Sequence, residues 1–124
     1  MANCIADGVK EAGGEAKLLS PTDFSAARLS EFDATAFGCP AMGSEVLEEC
    51  EFEPMFSGLE GSLSGKKIAL FGSYGWGDGQ WMRDWCERCV SANLYDEEGL
   101  AVNSAPDAAA QEACRELGRK LAEW

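Results

Sequence analysis

The sequence predicts a doubly wound α/β domain, in which a parallel sheet is covered by helices on both faces. Three observations carry this expectation. The run KIALFG at 67–72 is apolar after its first lysine, as a strand buried on both faces requires. Stretches with helical spacing alternate with short strand candidates along the chain. Two loops of small residues follow strand candidates, at the sheet end where such folds place ligands. With 124 residues, the chain is expected to form one domain.

Each element has its own signal. Residues 1–13 read as a helix, because Ile5 and Val9 lie four apart and Gly13 and Gly14 form a stop. A short strand is expected over 15–19. The sequence SPTD at 20–23 then forms a turn and cap before a brief helix over 24–29. DATAFG at 33–38 has little branched volume, but a buried parallel strand uses small residues where helices pack closely. EVLEECEFEPMF at 45–56 reads as an acidic helix, with Pro54 marking a kink or early end. A glycine and serine loop at 58–65 precedes the strand at 67–72, and SYGWGDG leads into a helix over 80–93. A short strand near 100–102 follows. The last helix, 107–124, carries Ala109, Ala113, Leu117 and Leu121 at intervals of four. No period repeats and no linker interrupts the chain. One feature departs from the class: the chain opens in a helix, with no strand to start a right-handed crossover and no N-cap residue. Two readings are open, that a strand and its loop are missing upstream or that the fold begins with a helix.

Charge and composition exclude several functions. Twenty-two acidic against ten basic side chains leave a net charge of −12, which repels phosphate backbones and anionic lipid and steers the molecule toward basic protein patches. Nucleic acid and membrane are therefore not expected as partners. The absence of histidine removes the usual base for a Ser or Cys nucleophile and the commonest zinc ligand. Apolar stretches are short and the N-terminal segment is acidic and interrupted by glycine, so neither a secretory signal nor a transmembrane helix is expected. Six cysteines in such a chain point to a reduced, cytoplasmic state. Cys86-Glu-Arg-Cys89 follows Trp81 and Trp85 on a helical face without a second CxxC, which favours packing over metal or redox chemistry. A reactive thiol there would need basic neighbours, and only Arg83 and Arg88 are near in sequence.

Two loops could hold a ligand. Ser73 to Gly79 presents Tyr74 and Trp76 in a glycine frame, which suits a stacking platform or an ordinary turn with a core tryptophan. Cys39-Pro-Ala-Met-Gly-Ser44 offers Met42 as an adaptable apolar contact and Gly43 as a free backbone position; alone it fits packing as well as binding. Together, the runs GCPAMGSEVLEECEFEPMF and GKKIALFGSYGWGDGQWMRDW resemble the short-chain flavodoxins of anaerobic bacteria, small FMN-containing electron carriers. The likeness is dense over 37–87 and looser toward both ends.

That resemblance implies a three-layer α/β/α sheet of order 2-1-3-4-5, with non-covalently bound FMN between the two loops. Met42 would cover one face of the ring and Trp76 the other. Backbone groups of Ala41, Gly43, Ser73, Tyr74, Gly75, Gly77, Asp78 and Gly79, with Ser44 beside them, would line the ring and ribityl chain. The Gly43 peptide would turn so that its carbonyl accepts a hydrogen bond from the protonated flavin N5, a change glycine makes inexpensive. Apolar walls and the carboxylates of Glu45, Glu48 and Glu49 would disfavour a negative flavin, giving a low-potential carrier without catalytic residues of its own. Val102 to Pro106 resembles the stretch near the flavin pyrimidine edge, where Asn103 or Ser104 would lie. Two departures stand out. Ser44 occupies a position usually acidic in the family. The N-terminal Met1-Ala-Asn-Cys resembles the interior of the family's first helix, so roughly fifteen residues, the first strand and the phosphate-binding loop, are expected upstream of a misplaced start. A truncated, cofactor-free module is the alternative.

Overall fold

The computed structural model describes residues 1–41, 47–75, 79–96, 98–103 and 107–124. Strand β2 (Lys67–Tyr74) is the hub of a parallel sheet, as its apolar run predicts. On one side it pairs with β1 (Thr35–Gly38), and on the other with β3 (Asn93–Leu94) and β4 (Leu100–Asn103). Ile68 stands opposite both Thr35 and Leu94, and Phe71 opposite both Gly38 and Leu100. β3 and β4 thus share one edge of β2 around a detour whose return uses the left-handed backbone of Gly99 (φ 71°). β3 was not expected from its composition; backbone bonds from Asn93 to the Lys66 carbonyl and from Tyr95 to the Ile68 carbonyl, each 2.8 Å, hold it.

Alternation along β2 divides the core into two layers. Ile68 and Leu70, with Phe37 of β1, face helices α2 (Phe52–Leu59) and α3 (Gln80–Arg88), where Phe52, Phe56, Trp81, Met82 and Trp85 are buried. Ala69 and Phe71 face α1 (Ala2–Glu11) and α4 (Ala108–Glu123), meeting Ile5, Cys114 and Leu117. The result is helices, sheet, helices. DATAFG works as a strand despite its small residues because the Phe71 ring lies over Gly38, where a Cβ would run into it.

Several boundaries move for identifiable reasons. The acidic helix expected over 45–56 begins instead at Phe52, because the Glu48 carboxylate accepts the amides of Cys50, Glu51 and Phe52 and ends the preceding loop like a cap. Pro54 then falls in the first turn, where its missing N–H costs nothing, and the helix runs through Gly58 to Leu59. α3 stops at Arg88, short of 93, since Asn93 is taken into the sheet. The brief helix expected over 24–29 is a 3-10 segment, Ala26–Glu31. Residues 15–19, expected as a strand, form no regular element. A strand needs a neighbour for its amides and carbonyls, and this segment lies beside a cavity of about 1300 Å³ that separates it from β1.

Candidate functional site

The carboxyl ends of β1 and β2 continue side by side beyond the strands. The Cys39 amide donates to the Phe71 carbonyl (3.1 Å) and the Ala41 amide to that of Ser73 (2.9 Å). This approach depends on Gly72, where a Cβ would collide with the Cys39 carbonyl. From α3, the buried Trp81 indole donates to that same carbonyl (3.3 Å), and the half-buried Tyr74 ring packs on the Trp81 ring with centroids 5.5 Å apart. Asn103, at the end of β4, stands opposite Tyr74. The loop mouths of three strands therefore meet at one sheet end.

The first loop is clipped at its base. The Cys39 thiol accepts the Glu48 amide (3.3 Å) and donates to the Pro40 carbonyl (3.5 Å). Burial pushes this thiol up from its ordinary pKa, so it stays protonated and can donate. The amides of Phe52, Cys50 and Glu51 hold the Glu48 carboxyl below the usual range. On the second loop, Gly79 takes the left-handed backbone (φ 87°) and its carbonyl accepts the Met82 and Arg83 amides, starting α3.

Of the expected flavin-lining residues, Ala41, Ser73, Tyr74 and Gly75 are brought together, and Gly79 stands where the second loop enters α3. Met42, Gly43, Ser44, Trp76, Gly77 and Asp78 lie outside the described residues, as do Glu45 and Ser104. Gly75 is exposed, and among the described residues a Cβ there would meet nothing within 4 Å, next to where the backbone groups of Ala41 and Ser73 converge. An open ledge of backbone beside an aromatic ring suits a flat, partly polar cofactor such as FMN. Sequence reasoning missed Cys39, Glu48 and Trp81 as supports of this ledge. Their signal was weak, a cysteine just before Pro-Ala-Met-Gly and a glutamate nine residues on. The CERC thiols are remote from such chemistry: burial raises Cys86, with Asp96 and Glu98 adding to it, and pushes Cys89 up to about 12.

A parallel sheet sandwiched by helices, with two strand-to-helix loops at its carboxyl end, defines the class of doubly wound α/β proteins. The family model for flavodoxin matches residues 1–118, and the chain belongs to the flavodoxin family. It is 46% identical over 123 residues to a flavodoxin of Clostridium beijerinckii, covering 98% of this chain and 88% of that one. Identity to the flavodoxin of Megasphaera elsdenii is 42% over 122 residues, with the same two shares. The solution structure of the two-electron reduced Megasphaera elsdenii flavodoxin is similar with a TM-score of 0.88 and 41% identity, over 99% of this chain and 88% of that one. Flavodoxins bind FMN and carry electrons to redox partner proteins, and the fold, cofactor and electron-carrying function expected from the sequence stand on this membership.

Proposed function

We propose that this chain is a low-potential carrier of single electrons that grips the FMN ring between residues 41–44 and 73–79. The observation that carries this reading is the Ala41 to Ser73 backbone bond beside the exposed Gly75, which brings the bases of the two loops together. FMN supplies the redox chemistry when bound. Met42 and Trp76 cover opposite ring faces and exclude water. The amides and carbonyls of Ala41, Gly43, Ser44, Ser73, Tyr74, Gly75, Gly77, Asp78 and Gly79 line the ring edge and ribityl chain. Glu45, Glu48 and Glu49 place negative charge at the loop, which disfavours added negative charge nearby and lowers the potential.

The chain contributes no catalytic group of its own. Its net charge of −12 docks it onto basic patches of reductases and oxidoreductases, and disfavours nucleic acid and membrane surfaces. Among the described residues no helix is long and apolar enough to cross a membrane. Six free thiols support a cytoplasmic, reducing compartment.

The visible spectrum after incubation with FMN and removal of free flavin tests the reading. Retained flavin bands, with affinity falling roughly tenfold or more in Trp76→Ala, are expected, since aromatic stacking contributes about 1–3 kcal/mol. No retained flavin, either by this chain or by one extended upstream of Met1, would overturn it in favour of a cofactor-free module. Restoring a carboxylate with Ser44→Asp should lower the potential by a few tens of millivolts, because one nearby charge contributes on the order of 1 kcal/mol and a tenfold change is ~59 mV for one electron. An unchanged or raised potential would contradict the role given to loop charge.

A further inference from the structure

Helices α1 and α4 carry the same short pattern, Cys-x-x-x-Gly: Cys4 with Gly8, and Cys114 with Gly118. Four residues apart, each cysteine shares a helix face with its glycine. The glycines are where the helices touch, since a Cβ at Gly8 would strike the Arg115 carbonyl and one at Gly118 the Ile5 carbonyl. Further along, Arg119 pairs with Glu11 at 3.0 Å and a Cβ at Gly14 would meet Ala122, so the contacts advance together and the helices run parallel. One turn before the glycines, the two cysteines therefore stand level and face one another. Helix axes usually lie about 8–10 Å apart. Contact through glycine backbone is closer, and suits the roughly 4.4–6.8 Å between Cα atoms that a disulfide requires. Cys114 is fully buried in the cluster that holds Ala69 and Phe71 of β2, and the half-buried Cys4 packs against the same cluster. Both are free thiols.

We propose that Cys4 and Cys114 form a site of reversible oxidation, closed to an intramolecular disulfide by hydrogen peroxide and reopened by thiols. Cys4, the more accessible of the two, reacts first. It is among the groups that hold the Arg115 guanidinium protonated above its ordinary value, after Glu112, so a cation lies within electrostatic reach of its thiolate. Burial pushes the Cys114 thiol up, with Cys4 adding to it, which keeps it protonated until its neighbour has changed. The Cys4 thiolate attacks one peroxide oxygen, the O–O bond breaks, and the hydroxide that leaves takes the thiol proton as water. The Cys114 sulfur then attacks the sulfenic Cys4. An S–S bond forms as the S–O bond breaks, and the departing hydroxide takes the Cys114 proton as a second water. Two thiols give up two electrons and two protons, and one peroxide becomes two waters. In a reducing compartment such a bond is transient, a redox-responsive tie between α1 and α4. The CERC pair lacks this electrostatic help, because Asp96 and Glu98 add to the effect of burial at Cys86.

Peptide mapping after treatment of the folded chain with equimolar hydrogen peroxide, in the dark and with or without FMN, tests this independently of the electron-carrier reading. Both samples should lose two hydrogens in mass, and trypsin without reductant should leave peptide 1–10 joined to peptide 89–115. The second peptide also contains Cys89, so fragmentation has to place the bond at Cys114. Dithiothreitol should restore both thiols. The oxidised chain should need more urea to unfold than the reduced one, because the bond closes nearly the whole chain into one loop. Cys4→Ala should abolish the cross-link. Gly118→Ala should slow closure about tenfold, since the added methyl moves α1 away from α4. A bond between Cys86 and Cys89 in place of this one would overturn the assignment, as would Cys4 halting at the sulfinic acid with Cys114 still a thiol. So would closure that is equally fast in the urea-unfolded chain, or an oxidised chain that unfolds in less urea.

Discussion

The two faces of the sheet are packed by opposite means. On the α2 and α3 face, large rings interlock: Phe56 stands edge-on to Phe37 at 5.5 Å and to Trp85 at 5.8 Å, and Phe52 edge-on to Trp85 at 5.3 Å. On the α1 and α4 face, the helices meet backbone to backbone, and a Cβ at Gly8 would strike the Arg115 carbonyl and one at Gly118 the Ile5 carbonyl. The first face is held by volume and the second by its absence. One is sensitive to losing atoms and the other to gaining them.

The largest expected effect tests the aromatic face. Phe56, fully buried among those rings, should lose about 3–5 kcal/mol on truncation by Phe56→Ala, read from urea unfolding. A loss below about 1 kcal/mol would mean that the rings collapse into the space. On the other face a single added methyl should suffice: Gly118→Ala should cost about 1–3 kcal/mol, since the backbone of α1 has to move. The comparison sharpens with Gly58→Ala on α2, where a Cβ meets nothing within 4 Å. There the same substitution should stabilise by about 0.5–1 kcal/mol through helix propensity.

The smallest effect concerns the charge that ties α2 to α3. Arg88 donates to Glu53 through two nitrogens at 2.8 and 2.9 Å, also bonds Glu60, and lies 4.9 Å over the Phe56 ring. The hydrogen bonds from Arg88 hold the Glu53 carboxyl below the usual range. Because the folded pKa is the lower one, the stabilisation is present above the unfolded value near 4.3 and disappears as pH falls through the folded value. Arg88→Met should flatten that acid limb and cost under about 1 kcal/mol at neutral pH, since the pair is partly exposed. Thermal unfolding between pH 3 and 7 measures it, and an acid limb unchanged in the variant would place its origin elsewhere.

Legibility followed the range of the interactions. β2, α1 and α4 were readable because their apolar spacing is local. Residues 15–19 read as a strand on equally local grounds and form none, since strand formation needs a neighbour that sequence pattern cannot supply. The late start of α2 was hidden for a similar reason: Glu48 reads as one acidic helix residue among several until its carboxylate is seen accepting three amides. At the site, the positions of both loops followed from the parallel order of the strands. Their mutual support did not, because the Trp81 indole reaches the Cys39 carbonyl across 42 positions of chain.

By itself, then, the amino-acid sequence determined the alternation of strands and helices, the burial of β2, the acidic surface and the two loops whose motifs mark a flavodoxin, since each is written in neighbouring residues. The tertiary structure alone decided that Glu48 and Trp81 fasten Cys39 at the base of the first loop, that α1 and α4 touch through glycine, and that among the described residues β1 pairs with β2 alone. Those features depend on which backbone groups find partners across long stretches of chain, and pairing of that kind exists only once the chain is packed.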